Sequence, residues 1–296
     1  LPSCPFTLTS MDWMKYRLIY LLISVSLIGL GLYGYLSWGL PLGIDFKGGS
    51  ILEYRFEKEI SEEEAANKLE EIGIEVSSVQ KTDDSYLFRL SDISSEQKES
   101  IKTTLESSEG GKVEELRFET VGPAVGPELI KKTFYALLIS VTAILIWIAY
   151  QFKSFKFGLA ATLATFHDSL VLLGIFILLA HYFGFEIDFL FVTAMLTVLS
   201  FSVHDTIVVY DRIRESQKKY GGSIYEHANR AISETMVRSL NNSFTIIFML
   251  VALILLGGST IKAFAVALLI GTISGTYSSP FVAVPLLVTF DKIFKK

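Results

Sequence analysis

Two aspartates stand where an aspartate is costly. Asp168 and Asp205 lie inside apolar runs long enough to cross a bilayer, each directly after a histidine, His167 and His204. An ionisable side chain within a membrane span costs several kcal/mol, so it faces protein or water and marks a pathway. Asp205 falls about five residues before the inner end of its span, roughly 7–8 Å of helix rise from the boundary. Arg238, at the inner mouth of the following span, has comparable depth and is the partner expected for it. Burial favours the neutral acid and a nearby cation favours the carboxylate, so a pair made in one conformation and broken in another acts as a proton switch. The competing reading of Asp205 is a static hydrogen-bonded contact between helices. Asp168 lies about eleven residues into its span, near the midplane of a 30 Å core. For it and His167, a proton relay and a structural contact with the next helix stand as equal readings. Histidine titrates near neutral pH, but His204 points about 100° away from Asp205 on a helix and also reads as a satisfied polar residue.

These side chains need helices to hold them, and the composition supplies the membrane kind. The 296 residues are 51% hydrophobic and 19% charged, with mean hydropathy +0.46, too apolar for a soluble domain of this size. Apolar runs predict six spans, at about 16–38, 134–150, 157–182, 188–210, 240–256 and 261–290. The first is too long and too weakly followed by a cleavage site for a signal peptide and is expected to stay in the mature chain. Leu1–Ser10 reads as an unstructured lead-in. Lys15, Arg17, Lys153, Lys156, the basic stretch Arg212–Arg238 and the tail 291–296 fall on one side, which puts both termini in the cytoplasm of an inner membrane. That basic stretch is expected to be amphipathic, lying along the membrane surface or against a partner. Glu186 and Asp188 read as interfacial charges at an outer loop, Asp188 also as an outer proton entry. Gly271, Gly275, Pro280 and Pro285 are expected to bend the last span or let neighbours approach.

Residues 41–127, between the first two spans, are charged throughout and read as a soluble extracytoplasmic domain. A strand at Gly49–Phe56, a helix opened by the capping box Ser61…Glu64, strands at 74–81 and 86–90 around the turn Thr82–Ser85, a helix after Ser94 or Ser95, and a strand at 112–120 give βαββαβ, the ferredoxin-like order. The fold class is therefore an α-helical polytopic membrane protein, one span plus a five-helix domain over 131–290, with an inserted α+β domain. That layout suggests half of a pseudosymmetric assembly.

Several chemistries are excluded. The single cysteine, Cys4, permits no internal disulfide framework. No cluster has zinc spacing, no loop has the Walker arrangement and no serine sits in a nucleophile elbow, so no metal, cofactor or ATP hydrolysis is expected and the chain is read as a transport subunit, not an enzyme. Two His-Asp dipeptides within apolar helices do not make a phosphohydrolase. A net charge of −5 argues against nucleic acid.

Four stretches carry a resemblance. Gly43-Ile44-Asp45-Phe46-Lys47-Gly48-Gly49 is similar to the GxDFxGG signature of the SecD/SecF family; Val121-Gly122-Pro123-Ala124-Val125-Gly126-Pro127-Glu128-Leu129 enters the second span; Ser202 to Glu215 holds His204-Asp205 and the exit Asp211-Arg212-Ile213-Arg214-Glu215; and Arg238-Ser239-Leu240 opens the fifth span. His204 stands where the family commonly has Asn, and Ser200 where it has Gly. The resemblance implies a membrane subunit paired with SecD, related to the resistance-nodulation-division exporters. Such a subunit uses the proton gradient to help the SecYEG channel and the SecA motor move unfolded preproteins outward. Read from the residues alone, Gly48 and Gly49 let the chain turn sharply into the first strand. Gly122, Pro123, Gly126 and Pro127 make a stiff connection that either transmits domain motion or merely links. Two other functions stay open: a small-molecule exporter, for which a domain of about 85 residues leaves little room, and a structural subunit that conducts no protons.

Overall fold

The computed structural model describes residues 11–81, 85–107, 111–122 and 124–294. Pro123, the turn residues Thr82–Asp84 and the lead-in with Cys4 lie outside the described residues. The chain divides into two compact units: the membrane-type helices, and Pro41–Tyr135 together with Glu186–Phe189. Among the described residues six helices are long and apolar enough to cross a membrane.

In the helical unit, a short 3-10 turn over Trp13–Tyr16 leads into α1 (Arg17–Trp38). The turn docks through Trp13 Nε1, which donates to Ser233 Oγ at 2.9 Å, and the Met14 amide, which donates to Asn229 Oδ1 at 2.9 Å. A one-turn helix α2 (Ile44–Lys47) and two domain helices, α3 (Glu62–Glu71) and α4 (Ser95–Glu106), precede the remaining spans. These are α5 (Val125–Phe152), α6 (Phe155–Phe183), α7 (Phe189–Tyr220), α8 (Ile224–Leu256), α9 (Ser259–Ser278) and α10 (Val284–Phe294), with a π-helical turn Ser279–Ala283 joining the last two. Pro280 sits in that widened turn, where its missing N–H breaks the regular ladder least.

α1 packs on α6, while α6 and α8 pack on α9. The α1–α6 crossing depends on two glycines: a Cβ on Gly31 would stand 2.5 Å from the Cα of Gly174. Small residues let membrane helices approach closely where no water drives them together. On α9 a Cβ at Gly271 would meet Val198, and one at Gly275 would meet Ser202. An apolar cluster surrounds Tyr210, whose ring stands perpendicular to the stacked Phe152 and Phe157 and whose hydroxyl donates to the Ala283 carbonyl at 3.0 Å. α7 and α8 run further than the apolar spans 188–210 and 240–256. Hydropathy marks only the lipid-length part of a helix, and the basic stretch between them is two helical extensions joined by a turn at Gly221–Gly222, both with positive φ.

The second unit has strands β1 (Gly49–Phe56), β2 (Val76–Lys81), β3 (Tyr86–Leu90) and β4 (Val113–Val121). Every neighbouring pair is antiparallel and the order is β2-β3-β1-β4, the ferredoxin-like arrangement. Alternation along β1 and β3 puts Leu52, Tyr54 and Phe88 into one buried layer with Leu69 of α3 and with Ile101 and Leu105 of α4. Each such fully buried side chain contributes roughly 1.5–3 kcal/mol. Ser61 caps α3 through the Glu64 amide, and Ser94 with Gln97 forms a complete capping box on α4.

Candidate functional site

α7 presents two carboxylate contacts from one face. Ser202 and Asp205 are three residues apart, so they share a side of the helix. Asp168 on α6 is fully buried, and Asp205 is 5% exposed. Ser202 Oγ donates to Asp168 Oδ2 at 2.5 Å, and Ser239 Oγ on α8 donates to Asp205 Oδ2 at 2.5 Å. Asp168 also accepts from Ser274 Oγ at 2.8 Å and Ser278 Oγ at 2.6 Å, both on α9, and lies 3.1 Å from His167 Nδ1. Three hydroxyls and an imidazole thus surround a fully buried carboxylate, which is how a buried acid is made tolerable.

Further hydroxyls lie between the two acids. Thr206, next to Asp205, has its Oγ1 3.0 Å from Ser279 Oγ in the π-helical turn. Ser279 follows Ser278 and also lies 3.3 Å from the Ser202 carbonyl. The seam Asp168, Ser202, Ser278, Ser279, Thr206, Asp205 and Ser239 is built from four helices in an otherwise apolar interior. Hydroxyls both donate and accept, so such a row can reorient around a proton.

Arg238 acts on Asp205 through its charge without a direct ion pair. Among the described residues no ion pair joins them; the contact is made by Ser239, and Arg238 is exposed. Consecutive helical residues point about 100° apart, so turning Ser239 inward turns Arg238 out. His204 is likewise exposed. It heads a stripe along α7 with Ser200, Thr197 and Thr193, all exposed. On α8, Arg238, Asn241, Asn242 and Thr245 form a second exposed polar stripe at helical spacing. His167 Nε2 has no partner among the described residues, and the ring borders a cavity of about 310 Å³ lined otherwise by Ile23, Leu27, Val171, Ile270 and Ile273 among others.

The remaining motif residues do other work. Arg212 binds Glu234 and Glu215, and Arg230 joins it on Glu234, which ties the α7 and α8 extensions together. Arg214 donates to the Gln151 carbonyl at 3.0 Å. Asp211 is exposed. In the other unit, Asp45 Oδ2 accepts from the Phe189 amide at 2.8 Å, and Phe46 is buried. Gly48 and Gly49 have φ of 80° and 122°, a conformation that resists side chains, and a Cβ on Gly49 would lie 2.7 Å from the Leu90 carbonyl oxygen. One on Gly126 would lie 2.3 Å from the Phe46 carbonyl oxygen, whereas Gly122 faces open space. Ser202 and Ser239 enter the sequence reading only within motif stretches, and Ser274 and Ser278 not at all. The i, i+4 spacing of Ser274 and Ser278 in an apolar helix was the available signal. Among the described residues no cluster of His, Cys, Asp or Glu is suited to hold a metal.

Comparison with known proteins matches residues 100–293 to a family model described as protein export membrane protein SecD/SecF, C-terminal, and residues 39–60 to the SecD/SecF GG motif. The protein translocase subunit SecF of Thermobaculum terrenum is 42% identical over 95% of this chain and 94% of its own. That of Anaerolinea thermophila is 37% identical over 93% and 92%. The crystal structure of SecDF, a translocon-associated membrane protein from Thermus thermophilus, has a TM-score of 0.86 at 31% identity and covers 99% of this chain. This chain spans 40% of that SecDF chain.

Proposed function

The chain belongs to the SecD/SecF family of protein-export membrane proteins, and from that premise we propose that it serves as the SecF-type subunit of the Sec translocase, associated with a SecD half and coupling a proton gradient to export. The observation that carries this reading is the pairing of a buried, hydroxyl-served carboxylate seam with two exposed polar stripes beside it. An imidazole, a guanidinium and the two amides of Asn241 and Asn242 are costly to hold against hydrocarbon, so these exposed faces call for a polar cover. A matching half laid over α7 and α8 supplies that cover and brings Arg238 and His204 to the seam's flank. Asp205 and Asp168 are then the proton-carrying groups, with His167, His204 and Arg238 around them.

The same reading places the chain in the cytoplasmic membrane with both termini inside, and gives it the SecYEG channel, SecA and an unfolded preprotein as working partners. It performs no hydrolysis of its own. The structural-subunit alternative rests on Asp168, whose four partners would suit a static contact equally well.

Preprotein translocation into inverted membrane vesicles, with SecD present and with and without a proton gradient, separates the two. The gradient-dependent part disappears in Asp205→Asn at unchanged protein level if Asp205 couples; unchanged translocation assigns the chain a structural role.

A further inference from the structure

Glu186, Ile187, Asp188 and Phe189 join α6 to α7, yet they belong to the compact unit of the ferredoxin-like domain. Every one of the four is held there. Glu186 pairs with Arg89 of β3 at 2.8 Å, with both side chains largely covered. Ile187 is buried, accepts from the Gly43 amide at 2.9 Å and donates to the Pro41 carbonyl at 2.7 Å, which makes a parallel bridge opposite Leu42. Asp188 is one of the carboxylates acting on the Arg117 guanidinium of β4, with Glu119 and Glu53. The Phe189 amide, in the first turn of α7, donates to Asp45 Oδ2 at 2.8 Å. First-turn amides of a helix lack intrahelical acceptors and carry positive partial charge, so a carboxylate from a distant part of the chain is a strong place to attach one.

Closing the turn between α6 and α7 does not need this grip. Gly184, in the left-handed conformation, already ends α6 with its amide on the Ala180 carbonyl at 2.9 Å. The additional attachments therefore have a second use. The helix that enters the loop carries Asp168, and the one that leaves it carries Asp205.

We infer that the segment Leu42–Asp45, with Arg89 and Arg117, forms a permanent latch on residues 186–189, by which movement of the outer domain is delivered to the two carboxylate-bearing helices. Asp45, Arg89 and Arg117 are positioning residues in this scheme; none handles a proton. Chain continuity does the transmission: a loop fixed to the domain at four successive residues, two of them to the sheet itself, moves with the domain, and α6 and α7 are its direct extensions. The latch stays closed throughout the cycle, because a joint that opened would lose the motion it transmits. This inference rests on the proposed export function.

The test uses the full chain with SecD in inverted vesicles. Arg89→Glu, Glu186→Arg and Asp45→Ala are each expected to lower gradient-dependent translocation by about fivefold or more, while translocation without a gradient stays unchanged. Asp45→Asn keeps an acceptor oxygen and is expected to retain most of the effect. The charge exchange Arg89→Glu with Glu186→Arg restores coupling. A disulfide between Leu42→Cys and Ile187→Cys, in a Cys4→Ser background, leaves translocation as it was, since bridge partners lie within disulfide reach. Normal coupling in the three single variants, failure of the exchange to restore it, or a block by the disulfide each overturns the latch. Asp205→Asn is run alongside: a loss there with intact latch variants defeats only the latch, whereas an intact Asp205→Asn defeats the coupling function itself.

Discussion

Ser239 Oγ donates to Asp205 at 2.5 Å, while Arg238, its neighbour in sequence, faces out of the chain. The acid in the fourth span is therefore held by a neutral donor, and the cation at its depth is left for the far side of the helix. Removing the hydroxyl in Ser239→Ala takes one hydrogen bond from a buried carboxylate and should cost about 1–3 kcal/mol. In an Asp205→Asn background the same change should cost less. A double-mutant cycle read by thermal unfolding in detergent should give a coupling of about 0.5–3 kcal/mol; strict additivity would mean the contact carries no energy.

Asp168 makes a sharper case, because its surroundings are complete. Asn keeps one acceptor oxygen for one serine and offers an amide whose two N–H groups the other two serine hydroxyls can accept from by rotating. Leu leaves those hydroxyls facing an apolar side chain, at about 1–3 kcal/mol for each that stays unpaired. Asp168→Asn should accumulate in the membrane at close to the wild-type level and lose gradient-driven translocation; Asp168→Leu should accumulate poorly. Full gradient-driven activity in Asp168→Asn would assign the acid to packing.

What could be read from the sequence follows the range of the forces involved. Span-length hydropathy and strand alternation are local, and so the polytopic fold and the βαββαβ order were legible, down to the capping serines Ser61 and Ser94. Asp168 and Asp205 stood out because charge in an apolar run is conspicuous. Their partners did not, because Ser202, Ser239, Ser274 and Ser278 are unremarkable residues that reach the acids only where four helices meet. Arg238 stood out as a partner by depth and charge, and its charge does act on Asp205, but the direct contact falls to Ser239, which helical phase turns inward. The hold of Asp45 on Phe189 joins residues 144 apart in sequence, and no periodicity announces that.

The contact of Gly31 with Gly174 has no slack. A methyl group at either position meets backbone, which cannot turn aside as a side chain can. Gly31→Val or Gly174→Val should push α1 off α6 at a cost of about 1–3 kcal/mol or more. By contrast, Gly29, whose Cβ would meet nothing within 4 Å, should accept Val. Protease sensitivity of α1 in vesicles, compared across the three, checks this; equal behaviour of Gly29→Val and Gly31→Val would show that the close approach is dispensable.

Tyr54 links the domain's stability to pH. Its side chain is fully buried in the sheet core, and its hydroxyl has no hydrogen-bond partner among the described residues. Burial, followed by the negative charges of Glu115, Glu99 and Glu106, pushes the phenol well above the usual tyrosine range. The folded domain therefore keeps a proton that the unfolded chain gives up near pH 10, so the contribution is intact below about pH 10 and falls as the pH rises above it. Tyr54→Phe removes both the unpaired hydroxyl and the titration. Near neutral pH it should be neutral or stabilising by up to about 1–3 kcal/mol, and it should flatten the alkaline loss. Hydrogen exchange of the β1 and β3 amides between pH 8 and pH 11, corrected for the intrinsic exchange rate, measures it. A destabilised Tyr54→Phe at neutral pH would mean that the hydroxyl has a partner in solution.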